Sequence, residues 1–127
     1  MSNTIACATV GTYTYEGVER PVSVRVWRLY DGDVILEAEA VAPRGYTSCR
    51  FELANVDANH TLGDAMRTLA AWDNDGIARR VSAMIDRPVT VDDNAGAWWN
   101  TFIQWAVDLG DISRDIPLWA ISPNAMA

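Results

Sequence analysis

The chain contains no lysine, one histidine and two cysteines, and no apolar run in it exceeds four residues. With His60 as the sole histidine, a Ser-His-Asp or Cys-His arrangement would have to use it. It stands in "DANHTLGD", just ahead of an expected helix start, where histidine reads as a capping or loop residue. Cys7 and Cys49 are too few for a disulfide framework and lack the paired spacing of a zinc site. Both are expected as small core residues on the apolar face of a sheet, a setting that lacks the low pKa a thiol nucleophile needs. The short apolar runs leave no candidate for a membrane span or a signal-peptide core, and the opening "MSNTIACATV" has no basic residue before Arg20. A cytoplasmic location is the simplest expectation. The use of arginine for all ten basic residues suggests GC-rich coding more than any chemistry.

Other machinery is missing as well. There is no glycine-rich phosphate loop, dinucleotide fingerprint or nucleophile elbow. "WDNDG" resembles part of a calcium loop, but that pattern would put its first ligand at Ala71 and its bidentate glutamate at Ser82. Neither side chain serves, and Asp75 is expected instead to cap a helix. Asp92 and Asp93 together could form an acid and base pair, yet side by side at a helix start they complement its dipole. The expectation is a non-enzymatic protein without metal or cofactor.

What is present describes an ordinary folded protein. Of 127 residues, 50% are apolar and 21% charged, enough apolar surface to bury a core and too little charge for a disordered chain. One domain over residues 1–127 is expected. The net charge of -7 is uneven: residues 1–56 hold seven acids and five arginines, residues 57–127 ten acids and five arginines. Such a chain is repelled by phosphate backbones and anionic membranes, so direct nucleic-acid or lipid binding is disfavoured and a basic protein surface is favoured.

The first half alternates with period two. In "VSVRVWR" Val22, Val24 and Val26 oppose Ser23, Arg25 and Trp27. In "VILEAEAVA" Leu36, Ala38 and Ala40 oppose Ile35, Glu37 and Glu39, and in "TSCRFEL" Cys49, Phe51 and Leu53 oppose Ser48, Arg50 and Glu52. With an earlier strand near residues 4–15, and turns at Glu16-Gly17, Asp31-Gly32 and Pro43-Arg44-Gly45, these make a four-stranded antiparallel meander. Arg25, Arg50, Glu37, Glu39 and Glu52 can pair across strands on its outer face.

The second half switches to helical spacing. Thr61 and Asp64 resemble a capping box opening a helix over 62–72; Ile77, Val81, Met84 and Ile85 mark a second, stopped by Pro88. A third runs from near Asp93 to Gly110. "DIPLWAIS" alternates weakly and is a candidate extra C-terminal edge strand. The predicted fold is a two-layer α+β domain, the meander covered on one face by three helices.

The third helix carries the leading site. Its apolar arc, which includes Trp98, Trp99, Phe102, Ile103 and Trp105, is roughly 200° wide, more than the ~100° that one sheet can cover. The centre of the stripe reads as core, and the edge pair Trp98 and Trp105 as a candidate interface anchor. Asp93, Asp108 and Asp111 fall in the polar sector, and Asp115 follows. Acids beside an aromatic edge point to a surface that occupies a site built for phosphates, and so to a partner protein with a basic, nucleic-acid-binding surface. Phage-encoded anti-CRISPR and other anti-defence inhibitors share this size and charge, a comparison of class and not of residues. The alternatives are an immunity protein or antitoxin neutralising a basic toxin, or a phage structural or assembly protein that self-associates through the same edge, a homodimer being its simplest form.

Overall fold

A computed structural model of the chain describes residues 3–29, 32–92, 96–97, 99–104 and 108, with side chains described from residue 7 onward. Five strands, β1 (Asn3–Tyr15), β2 (Val18–Arg28), β3 (Val34–Ala40), β4 (Cys49–Val56) and β5 (Val89–Val91), are joined by the helices α1 (Leu62–Ala70) and α2 (Asn74–Ile85). Residues 96–97, 99–104 and 108 are also helical. The sheet is antiparallel in the order β4-β3-β2-β1-β5. The chain is thus α+β, with the expected meander in its first four strands.

The fifth strand corrects the expected count of four. It lies on the outer edge of β1, with Gly11 opposite Val91, and it comes from just beyond α2. Three residues are too few for alternation to show, and Pro88 ahead of them reads as a terminator although proline suits the start of an edge strand. The proposed C-terminal strand in "DIPLWAIS" lies outside the described residues.

Local chemistry explains the first hairpin turn and the turn after β3. Glu16 and Gly17 both adopt positive φ, 51° and 76°, as a two-residue hairpin turn between right-twisted strands requires. In the loop after β3, Gly45 has φ 93° and the Tyr46 N–H donates to the Pro43 carbonyl over 3.0 Å. Alternation then decides the faces: Val22, Val24, Val26, Leu36, Ala38 and Ala40 are buried, while Ser23, Arg25, Trp27, Ile35, Glu37 and Glu39 are half-buried on the other side. Arg28 keeps the phase of the valines and is buried at the end of β2, a charged side chain on the covered face, where desolvation lowers its pKa.

Three irregularities adjust the registers, the first of them between Thr4 and Ala6 in β1, which leaves Ile5 extra. In β1 the pairing shifts between Thr9 and Gly11, so Val10 is the extra residue; in β4 it shifts opposite Leu36 and Glu37, so Leu53 is extra. Beyond these bulges Gly11 and Tyr13, and Ala54 and Val56, continue on the covered face. Gly11 is required there, because a Cβ would collide with the Thr90 carbonyl oxygen of β5.

The helices cover one face. Leu62, Ala65, Met66 and Leu69 of α1 and Ile77 and Val81 of α2 meet the strand valines in one core cluster, which Trp99 and Phe102 complete. Each fully buried side chain of this size contributes roughly 1.5–3 kcal/mol relative to exposure. Thr61 caps α1 as expected, its Oγ1 accepting from the Asp64 N–H at 3.2 Å. Arg67 bonds the Asp64 carboxylate and holds it below the ordinary aspartate pKa.

Several expectations need correction. The cap of α2 is Asp73, whose Oδ1 accepts from the Gly76 N–H at 2.7 Å, and not Asp75, which lies in the first turn. Met84 does not share the buried face of Ile77 and Val81; it is 47% exposed, beyond the edge of the core. Both cysteines are exposed. Cys7 stands opposite Arg25 on the outer face, and Cys49 opposite Ala40 at the start of β4.

Candidate functional site

Charged side chains on the outer face of the sheet are largely engaged with one another. Arg25 pairs with Glu37 at 3.3 Å and Arg50 with Glu39 at 2.6 Å, the cross-strand pairing expected from the alternation. The Glu39 carboxylate raises the Arg50 pKa, and the Arg25 guanidinium also lies 3.4 Å from the centroid of the Trp27 ring. Acid and base thus pair at two places across neighbouring strands, while Glu52, opposite Glu37, is exposed.

The acids on the helical side are arranged differently. Asn74, the first residue of α2, is buried, and its Nδ2 donates to the Gly96 carbonyl at 3.2 Å and to Asn100 Oδ1 at 3.0 Å. Gly96 in turn donates its N–H to the Asp92 carbonyl at 2.7 Å. The start of α2 is therefore bonded directly to the start of the third helical segment. A Cβ at Gly96 would lie 2.7 Å from Asn74 Nδ2, so glycine is what permits this approach. Asp73 and Asp75 flank Asn74, and Asp92 sits on the strand side; all three are exposed. Two helix starts converge here, and carboxylates at a helix start complement its dipole.

From this junction the third segment runs with a polar side. Asn100, Thr101, Gln104 and Asp108 are exposed, and Gln104 Nε2 donates to Asp108 Oδ1 at 3.1 Å, one turn along. Its apolar side is anchored by Trp99, which has no exposure, stacks on Phe102 with centroids 5.1 Å apart, and donates its Nε1–H to the Trp72 carbonyl at 2.8 Å. Ile103 packs half-buried beside them. The centre of the aromatic stripe is core, as its helical phase implied.

Of the six residues singled out from the sequence, Asp108 is placed on that exposed polar side. Asp93, Asp111, Asp115, Trp98 and Trp105 lie outside the described residues. The junction adds Asp73, Asp75 and Asp92, of which pattern reading takes Asp75 as a cap and Asp92 as a dipole partner. The contact that gathers them, Asn74 with Gly96 and Asn100, spans 22 and 26 residues and leaves no mark in local spacing. His60 is an exposed turn residue whose N–H donates to the Asp57 carbonyl at 2.9 Å.

Negative charge at this surface comes from the exposed Asp73, Asp75 and Asp92, with the exposed Arg79 also near Gly76. Among the described residues no three His, Cys, Asp or Glu side chains are grouped so that they could hold a metal ion. No helix among the described residues is long and apolar enough to cross a membrane. No family model, curated protein or solved structure matches the chain.

Proposed function

We propose that the protein is a non-enzymatic acidic binding protein that covers a basic, nucleic-acid-binding surface of a partner protein, acting as an inhibitor of the anti-defence kind. The observation that carries this reading is the contrast in how the acids are used. On the outer sheet face Glu37 and Glu39 are matched by arginines, whereas the exposed Asp73 at the helix junction and Asp108 beyond it accept from the Gly76 N–H and the Gln104 amide, and Asp75 lies exposed in the first turn of α2. Their rigid setting supports the reading too. Asp73 is fixed as a cap and Asp92 is tied to the sheet through its N–H to the Val10 carbonyl at 3.2 Å, so complementary charge meets little ordering cost.

The test is partner capture from nuclease-treated extract of the native host or its target strain, followed by association kinetics with the identified partner. The expected partner is a nucleic-acid-binding protein from which added DNA or RNA displaces the chain. Association should slow by at least about tenfold as salt rises from about 50 to about 300 mM. Replacing Asp73, Asp75, Asp92 and Asp108 together by asparagine should slow association similarly while leaving Tm nearly unchanged, since asparagine caps a helix as well as aspartate does. Salt-independent association that survives the fourfold replacement would refute the proposal.

A further inference from the structure

At the opposite end of α2 from the acidic junction, the covered face of the sheet extends past the helices. Tyr13, Tyr15, Tyr46, Cys49, Met84 and Arg87 line a cleft there of about 340 Å³. That volume falls within the range of small-molecule sites and exceeds the ~150 Å³ that holds a benzene ring. Three large hydrophobic side chains are exposed among the described residues, Val18, Tyr46 and Met84, and the last two line this cleft.

The walls are held in place although they are open to water. Tyr46 is 55% exposed, yet its N–H is bonded to Pro43, its hydroxyl donates to Glu16 Oε1 at 3.2 Å, and its ring meets Tyr15 edge-on, with centroids 5.7 Å apart and planes at 73°. Tyr13 is fixed by donating its hydroxyl to the Val41 carbonyl at 2.8 Å. Arg87 is held by its backbone, its N–H donating to the Ser82 carbonyl at 3.3 Å while Ser82 Oγ donates to the Arg87 carbonyl at 2.7 Å. Its guanidinium carbon lies 4.7 Å from the centroid of the Tyr15 ring, and no carboxylate among the described residues is within ion-pair distance of it. In a chain of net charge -7, this is a cation presented beside aromatic rings with its hydrogen-bonding fork available.

We propose that this cleft binds a small planar aromatic acid, whose ring lies against Tyr46 and Met84 and whose carboxylate is taken by Arg87. The rings favour a flat apolar partner through edge and face contacts. Sulfur beside an aromatic ring adds a polarizable contact from Met84. Arg87 already supplies the cation on Tyr15, which disfavours a cationic ligand, and its planar fork matches a carboxylate. This site stands apart from the acidic surface and does not depend on the function proposed for it.

The two exposed cysteines make the test internally controlled, because Cys49 lines the cleft and Cys7 lies on the other face of the sheet. The probes are benzoate, 4-hydroxyphenylacetate, indole-3-acetate and 2-naphthoate, each beside its uncharged primary amide. At least one acid should slow alkylation of Cys49 by iodoacetamide about fivefold or more with Cys7 unaffected. Its amide should bind about tenfold more weakly, as expected for loss of a charge-assisted bond. Arg87→Gln should abolish the preference for acid over amide, and Tyr46→Ala should weaken both. Saturation transfer from protein to the ring protons of the probe detects binding that leaves the thiol reachable. Silence in both assays at about 10 mM, equal binding of acid and amide, or acid preference that survives Arg87→Gln would each overturn the proposal. The fourfold asparagine variant of the acidic surface should bind the acid as the parent does.

Discussion

The two ends of α2 lie about 18 Å apart and are built on opposite principles. At the first, Asp73 is an extended cap with φ -75° and ψ 173° and Asp75 follows in the first turn, both suited to a helix start, while the buried Asn74 leaves its Oδ1 without a hydrogen-bond partner. At the second, an aspartate again occupies the cap, but it stands where the dipole is negative and in the left-handed region, with φ 54°. The backbone and charges of the first end are locally consistent, and its one misfit is the buried Asn74 oxygen. The second accepts a misfit, and beside it Arg87 and the tyrosines are fixed around an open cleft. Departures from local consistency gather at functional sites more often than agreement does.

The largest effect is expected from removing the anchor of the first end. Trp99→Ala deletes a fully buried ring, its stack on Phe102 and its bond to Trp72. It should cost about 3–5 kcal/mol in urea unfolding, with native-state amide shifts changed around residues 72–76 and 99–104 and unchanged around Tyr46. Shifts spreading into the cleft would mean that the two ends are one unit.

A sharper and smaller contrast replaces the two caps. Asp73→Ala should destabilise by about 1 kcal/mol through loss of the bond to Gly76. Asp86→Gly should stabilise by about 0.5–1 kcal/mol, because glycine adopts the left-handed region at no steric cost. Opposite signs in thermal unfolding are the expected result. If both variants lose stability, the Asp86 side chain is making a contribution that its backbone conformation conceals.

The smallest effect concerns Tyr13. Burial raises its pKa above the ordinary value of 10.0. The folded chain therefore keeps a proton that the unfolded chain gives up, so the stability linked to this group is full below pH 10 and falls as pH rises through the elevated folded value. Tm measured from pH 9 to 11 should decline less steeply for Tyr13→Phe than for the parent. Parallel curves would show that the ring titrates as it does in the unfolded chain.

Legibility from sequence followed the reach of the interaction. The β2 and β3 faces, the Glu16-Gly17 turn and the Thr61 cap rest on neighbours within a few residues and could be read directly. The cap of α2 is not legible in this way, since Asp73 and Asp75 are equally good caps in isolation and the burial of Asn74 decides between them. The cysteines were misplaced for a related reason: alternation assigns a face but cannot say how far the helices extend over it, nor on which side Cys7 falls opposite Arg25. The acidic junction and the tyrosine cleft are both assembled from segments distant in sequence. Tyr46 and Glu16, 30 residues apart, share no pattern that a window could detect.

The pairing of β5 with β1 has a consequence for how the molecule assembles. The meander is made of consecutive hairpins, the first closed by a two-residue turn, and such contacts form early because little chain must be restrained. Gly11 meets Val91 across 91 - 11 = 80 positions, after both helices have been laid down in sequence. Closing so long a loop is entropically the dearest step, and three pairs of residues hold it. The seam should zip last and open first, which hydrogen exchange would record as faster exchange at Val89–Val91 than at β2 and β3. Asp92 directly follows that seam, so the acidic surface is complete only in the final stage of folding.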